Sequence, residues 1–295
     1  MMSKELKKIV ISFSRKKQIQ EDSLVRLIDV LVGCNCQIFA SELLEARFPE
    51  QQRNAVTFLP VEALYEGADC AIVLGGDGSI LSAAYHTSGR SIPILGINFG
   101  KIGFMTELDA DQISEIPAII RGEYSLDSRM MLDAELIHAD GTIRAKRTFL
   151  NDCALNNGPV ARLLNFKLYL NDKPLNSIRA DGMVISTPTG STAYSLSAGG
   201  PILDPGIDGI VLTPICPYSL SSRPIVVRDD SVIELRDITC RENQIYLTTD
   251  GKRSIQLEAG DTIRITKSVH KTTLIKITDN GFVQTLYRKL SEYAE

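Results

Sequence analysis

The sequence predicts an α/β domain of parallel strands, then an antiparallel β domain, then a closing helix. Three observations carry this. Up to about residue 124, short apolar runs alternate with segments at helical spacing, which is the pattern of βαβ units. From about residue 125 the runs become short strands separated by HADGT (138–142), LNDKP (170–174), VRDDS (227–231) and TTDGK (248–252). Their Asp-Gly and Asn-Asp pairs tolerate the positive φ of tight hairpins, and strands of this kind suggest a sandwich. Residues 281–293 then return to helical periodicity. A chain of 295 residues is long enough for about two domains. The expected division is 1–124 for the α/β domain, with 276–295 packing back on it, and 125–275 for the β-sandwich.

In order, KKIVISFS (7–14) reads as a strand. EDSLVRLIDVLVGC (21–34) reads as a helix from Leu24, Leu27, Ile28 and Leu31, with Asp22 or Ser23 as the expected cap. CQIFAS (36–41) and CAIVL (70–74) read as strands, SILSAAYH (79–86) as a helix and SIPILGIN (91–98) as a buried strand. DADQISEIPAIIRG (109–122) reads as one helix despite Pro117.

Composition removes several classes of function. The 32 basic residues against 36 acidic ones leave a net charge of −4, without the basic footprint of a dedicated nucleic-acid binder. With no Trp and 6% aromatics there is little for a base-stacking platform. No apolar run approaches 18 residues, so no membrane-spanning helix is expected. The N-terminal apolar stretch is too short for a secretion signal, so the protein is expected to stay where it is made. Cys34, Cys36, Cys70, Cys153, Cys216 and Cys240 contain no CxxC pair and are expected as reduced thiols, and three histidines are poor material for zinc.

Three segments carry chemistry. In AIVLGGDGSILSAAYH (71–86) a buried strand runs into Gly75-Gly76-Asp77-Gly78 and a helix follows. Glycines let backbone approach a ligand, and a helix N-terminus suits phosphate. Asp77 would repel phosphate unless it takes a proton from a hydroxyl or holds Mg²⁺ beside it. Taken alone, the segment is equally an Asp-Gly turn in a capping role. It is neither GxGxxG nor GxxxxGK[ST]. GINFGKIGF (96–104) is a second glycine-rich loop after a strand, and adjacent strand ends form the ligand crevice of parallel α/β sheets. RADGMVISTPTGSTAYSLSAGGPI (179–202) carries the hydroxyls of Ser186, Thr187, Thr189, Ser191, Thr192, Ser195 and Ser197 and the ring of Tyr194. Low charge with dense hydrogen-bonding groups suits a nucleoside better than a metal.

GGDGS, NFGKIGF, NDCAL (151–155), DGMVISTPTGSTAYSLSAGGPI and LTPICPYSLSSRPIVV (212–227), in this order, resemble the bacterial NAD kinase family over about residues 70–254. The TPTGSTAYSLSAGGPI stretch is highly specific, whereas GGDGS is shared with diacylglycerol and sphingosine kinases. An acyl pocket in place of the Ser/Thr-rich loop would mark those lipid kinases, and a silent NAD-binding sensor would lack turnover. The resemblance implies a Rossmann-like N-terminal domain, a β-sandwich domain and a site between them. It implies ATP-dependent phosphorylation of the adenosine-ribose 2′-hydroxyl of NAD, Mg²⁺ or another divalent cation with ATP, a cytoplasmic location, and a homodimer or homotetramer. Polyphosphate is an alternative donor. By position, Asp77 corresponds to the proton acceptor and Gly78 to its neighbour at NAD, with Gly75 and Gly76 near phosphates. Phe104 matches a pocket Phe, and Asn151 with Asp152 matches the Asn-Glu pair that holds the adenosine part. Arg162, Arg179 and Asp181 match dinucleotide contacts, and Thr192, Ala193, Tyr194, Ser195, Leu196 and Ser197 match the hydroxyl-rich loop. The chain departs from the family pattern at Asp152 (for Glu), Lys101 (for His), Tyr218 (for His) and Lys252 (for Gln). Ser82, Tyr85 and His86 stand where a basic residue often follows the loop.

Overall fold

The computed structural model describes residues 4–14, 19–100, 103–158, 163–241, 244–277 and 281–292. The chain divides into two units, Met1–Ser128 with Lys271–Glu295, and Arg129–His270.

The first unit contains β1 (Lys8–Phe13), α1 (Glu21–Gly33), β2 (Gln37–Ser41), β3 (Val56–Leu59), α2 (Val61–Leu64), β4 (Cys70–Gly75), α3 (Asp77–Thr87), β5 (Ile94–Asn98), β6 (Leu108–Asp109) and α4 (Ile116–Ile120). The strands lie side by side in the order β3-β2-β1-β4-β5-β6, all parallel. The order reverses between β1 and β4, and open α/β sheets take ligands beyond the strand C-termini at such a point. The GGDG loop leaves β4 there. Every residue of β4 and β5 is buried, as strands covered on both faces require. Leu24, Leu27, Ile28 and Leu31 of α1 close one face against Ile9, Ile11, Ile72 and Leu74. Each such side chain contributes about 1.5–3 kcal/mol by leaving water.

Three boundaries differ from expectation. Helix α1 begins at Glu21 behind Gln20, which makes no side-chain cap, and Ser23 is buried inside the first turn rather than capping. Helix α3 begins at Asp77, two residues early, with Gly76 at its N-cap. Residues 109–122 form two pieces, a 3₁₀ segment Ala110–Glu115 and α4. Pro117 has no N–H to continue a helix and stands in the first turn of α4, where none is needed.

The chain then runs through β7 (Ser125–Ile137), β8 (Ile143–Phe149), β9 (Asp152–Asn157), β10 (Leu164–Leu170), β11 (Lys173–Ala180), β12 (Gly182–Ser186), α5 (Tyr194–Ser197), β13 (Gly209–Ile215), β14 (Ile225–Arg228), β15 (Ile233–Thr239), β16 (Ile245–Thr249), β17 (Arg253–Gln256) and β18 (Thr262–Lys276), ending in α6 (Phe282–Glu292). In the second unit one antiparallel sheet has the order β14-β13-β12-β9-β16-β17. The other runs β11-β10-β15-β18, with β7 paired to both β18 and β8. Their inner faces share one core, with Leu132, Phe149, Phe166 and Leu235 from one sheet and Leu155, Met183, Leu212 and Leu247 from the other. That is a β-sandwich. β18 is long enough that Leu274 pairs with Ile94 in the first unit, to which α6 also belongs. The architecture is therefore the expected α/β domain plus antiparallel β domain with a C-terminal helix.

The hairpins use the positive φ that their residues tolerate, at Gly141, at Asn171 with Asp172, and at Asp250 with Gly251. All six cysteines are free thiols, Cys70 and Cys153 buried and Cys216 exposed. Among the described residues no helix is long and apolar enough to cross a membrane.

Candidate functional site

In the first unit the site is built on the loop between β4 and α3. Gly75 has φ +152°, a region that residues with a Cβ rarely enter, and Gly76 caps α3 in extended conformation. This places Asp77 as the first helical residue, half-buried. Its carboxylate is the centre of a small network. Oδ2 accepts the N–H of Phe104 at 2.8 Å and Oδ1 that of Met105 at 2.9 Å. Each oxygen keeps acceptor capacity for a further donor. A Cβ on Gly103 would lie 2.3 Å from Asp77 Oδ1, so only glycine fits there. The second glycine-rich loop is held by Asn98, whose side chain accepts the Gly100 N–H and donates to the Gly100 carbonyl and to Asp109. The Phe99 N–H donates to the Gly75 carbonyl at 3.2 Å, tying the two loops together. Gly75, Gly76, Asp77, Gly78 and Phe104 are thus gathered around the N-terminus of α3, whose dipole favours an anion.

In the second unit a separate constellation surrounds Asn151 and Asp152 at the start of β9. The Thr187 hydroxyl donates to the Leu150 carbonyl at 2.6 Å, and its N–H donates to the Asn151 carbonyl at 2.9 Å. A Cβ on Gly190 would lie 2.0 Å from that same Asn151 oxygen, so the loop after β12 presses directly on this turn. From the other side, the Asp250 carboxylate accepts the N–H groups of Leu150 (3.1 Å), Asn151 (2.8 Å) and Asp152 (3.4 Å). Asp152 is only 6% exposed and accepts the backbone N–H of Tyr194. Burial first, and then the charge of Asp250, pushes its carboxyl up to about 7. The Tyr194 phenol is pushed up by partial burial and then by the neighbouring carboxylate of Asp152, with Cys216 and Asp181 in the same neighbourhood. Asn151 Oδ1 and Ser186 Oγ are buried without a hydrogen-bond partner. Each keeps hydrogen-bonding capacity that the protein itself does not use.

The hydroxyl-rich loop is internally bonded over much of its length. Its segments are a 3₁₀ turn, Thr189–Thr192, and α5. Ser191 bonds the Pro188 carbonyl and the Leu203 N–H, Ser195 bonds Thr213 Oγ1 at 2.9 Å, and Thr192 bonds the Thr189 carbonyl. Most of these hydroxyls build the loop. What the loop turns outward is Tyr194 and Ser197, with Thr192, Ala193 and Leu196 half-buried. Arg179, exposed on β11, lies over the ring of Tyr218 at 5.1 Å, and its carbonyl accepts the Tyr218 N–H. The Asp181 N–H donates to the Ile215 carbonyl. Arg162 and Lys101 lie outside the described residues. Asp250 and Gly103 were missed as site residues. Asp250 read only as a hairpin Asp-Gly, and nothing local distinguishes a turn Asp that reaches back a hundred residues.

An α/β sheet with a glycine-rich acidic loop at its switch point, and a β-sandwich carrying a polar constellation around Asn151 and Asp152, fit the class of nucleotide-dependent phosphotransferases. The family model of the ATP-NAD kinase N-terminal domain matches residues 20–124, and that of the ATP-NAD kinase C-terminal domain matches residues 150–277. The NAD kinase of Caldanaerobacter subterraneus is 37% identical over 96% of this chain and 98% of its own length. That of Geobacter metallireducens is 40% identical over 84% and 87%. Among solved structures, yeast NADH kinase complexed with NADH superimposes with a TM-score of 0.88 at 25% identity, covering 99% of this chain and 89% of that one. An Archaeoglobus fulgidus NAD kinase in complex with ATP has the same fold, with a TM-score of 0.73 at 22% identity, over 96% of this chain and 98% of that one. The chain belongs to the ATP-NAD kinase family, and its activity is ATP-dependent phosphorylation of NAD.

Proposed function

We propose that the chain transfers the terminal phosphoryl group of ATP to the 2′-hydroxyl of the adenosine ribose of NAD, giving NADP and ADP, with Asp77 accepting the hydroxyl proton. The observation that carries this reading is the Asp77 carboxylate. It is fixed by two backbone amides, retains acceptor capacity, and stands at a helix N-terminus suited to phosphate. A ribose hydroxyl is a weak nucleophile. A carboxylate that accepts its hydrogen bond orients the lone pair in line with the phosphorus and takes the proton as the bond forms. The glycines around it let phosphate oxygens approach backbone N–H groups, so most of the rate comes from positioning and charge compensation.

Asn151, Asp152 and Tyr194 hold the dinucleotide in this reading. The orphaned Asn151 Oδ1 and Ser186 Oγ supply acceptors for amino or hydroxyl donors of a nucleoside. Among the described residues no three His, Cys, Asp or Glu side chains are gathered to cage a metal. Mg²⁺ carried by the triphosphate, with water and phosphate ligands, would neutralise charge at the transferred group when bound. The test is product identity. Purified chain with NAD, ATP and Mg²⁺ is expected to form a product that an NADP-specific dehydrogenase reduces, with one ADP released per product. ADP release without dehydrogenase-competent product would place the phosphate elsewhere and overturn the 2′ assignment.

A further inference from the structure

We propose that Asp250 is a positioning residue: by holding the amides of Leu150, Asn151 and Asp152 it sets the direction in which the Asn151 and Asp152 side chains meet the dinucleotide. This rests on the reading above in which Asn151 and Asp152 hold NAD. An Asp in a turn ordinarily bonds its own turn, as Asp140 does in its hairpin by accepting the Thr142 N–H at 2.9 Å and Asp204 does in the loop before β13 by accepting the Gly206 N–H at 2.8 Å. Asp250 does otherwise. From a turn with φ +47° at Asp250 and +65° at Gly251, its carboxylate reaches 98 to 100 residues back in the chain and takes three consecutive amides. Its own N–H donates to the Asp152 carbonyl at 2.9 Å, so the two turns grip each other in both directions.

That arrangement is costly as pure architecture. It buries a second carboxylate beside Asp152, and both carboxyls are raised by desolvation. Lys252 and Arg253 are the cationic groups nearby, and Tyr194 faces Asp152 from α5. An amide at 250 would end the repulsion, but it has one oxygen. It would keep the Asn151 and Asp152 amides and present its own N–H groups to that of Leu150. The carboxylate is therefore suited to holding all three amides, and it holds them at the turn that carries Asn151 and Asp152.

The experiment compares wild type with Asp250→Asn, Asp250→Glu, Asn151→Ala and Asp152→Asn in full steady-state kinetics, with melting curves for each. Asp250→Asn is expected to raise the KM for NAD about tenfold, the size of one lost charge-assisted hydrogen bond, with the KM for ATP within twofold. The inflection in kcat/KM for NAD against pH is expected to move to lower pH, because a negative charge beside Asp152 is gone. Asp250→Glu, which keeps the charge, is expected to leave the inflection nearer its wild-type position. An unchanged KM for NAD and unchanged inflection in folded Asp250→Asn would overturn the proposal. So would a loss that falls equally on NAD and ATP and tracks the melting temperature, since that is a structural role. If Asp250→Asn does not fold, the KM values of Asp250→Glu decide: a rise for NAD alone, from amides displaced by the longer side chain, supports the proposal, and an unchanged KM for NAD or a loss shared with ATP overturns it. If Asn151→Ala and Asp152→Asn themselves leave the KM for NAD unchanged, the parent reading fails. If they raise it and the Asp250 variants do not, only the present proposal fails.

Discussion

Asp152 is placed where its ionisation opposes folding and serves the ligand. Burial and the Asp250 charge raise its carboxyl from the usual value near 4 to about 7. The sign follows from linkage: a raised folded value means the group's favourable contribution is complete below about pH 4 and is lost as pH rises through about 7. Asp152→Asn removes the ionisable group, so its melting temperature should exceed wild type by several degrees at pH 8, at about 2–4 °C per kcal/mol, with the gap narrowing as pH falls and closing only below about pH 4. Equal melting temperatures at pH 8 would show that the carboxyl is not strained. On the proposed reading the same substitution is expected to weaken NAD binding, the usual exchange of stability for function at a binding site. Of the departures from the family pattern, Tyr218 has a visible place beneath the Arg179 guanidinium, a cation–π contact worth about 0.5–1 kcal/mol when exposed.

Among the elements, the loop from β5 to β6 illustrates how a backbone segment fixes a side chain. Met105 and Phe104 present consecutive N–H groups to Asp77, and they reach it because Gly103 has no Cβ. In Gly103→Ala the new methyl would stand 2.3 Å from Asp77 Oδ1 and 3.0 Å from Thr106 Oγ1. The carboxylate must swing away, so kcat is expected to fall tenfold or more, with a smaller change in the KM for NAD. A variant with wild-type kcat would separate the loop from the carboxylate's task. The strands β1, β4 and β5 were legible because continuous apolar runs between turn signals have few other solutions. Helix α3 starts two residues before its apolar spacing predicts, because Gly76-Asp77-Gly78 reads as loop by propensity and tertiary bonds to Asp77 override that. The 109–122 segment broke where Pro117 requires it, and the expected continuous helix underweighted the missing N–H.

For the whole molecule, the change from parallel to antiparallel structure was readable from hairpin chemistry alone, since Asn171-Asp172 and Asp250-Gly251 adopt the positive φ their side chains allow. The candidate site was legible in parts. Asp77 stood out because a carboxylate in a phosphate-type loop needs a chemical reason. The hydroxyl-rich loop was visible as a segment, yet the destinations of its hydroxyls were not: Ser191 and Ser195 satisfy Leu203 and Thr213, partners that only the folded chain supplies. Asp250 was invisible for the same reason, its three amides lying about a hundred residues away. The central claim is that Asp77 takes the proton in phosphoryl transfer to NAD, and the most direct measurement is kcat for NADP formation by Asp77→Asn beside wild type, with NAD affinity measured by titration. The expected result is a folded variant that binds NAD within a few-fold of wild type and turns over ~10²-fold or more slowly. Near-normal turnover in that variant would contradict the assignment and leave catalysis to positioning by the glycine-rich loops alone.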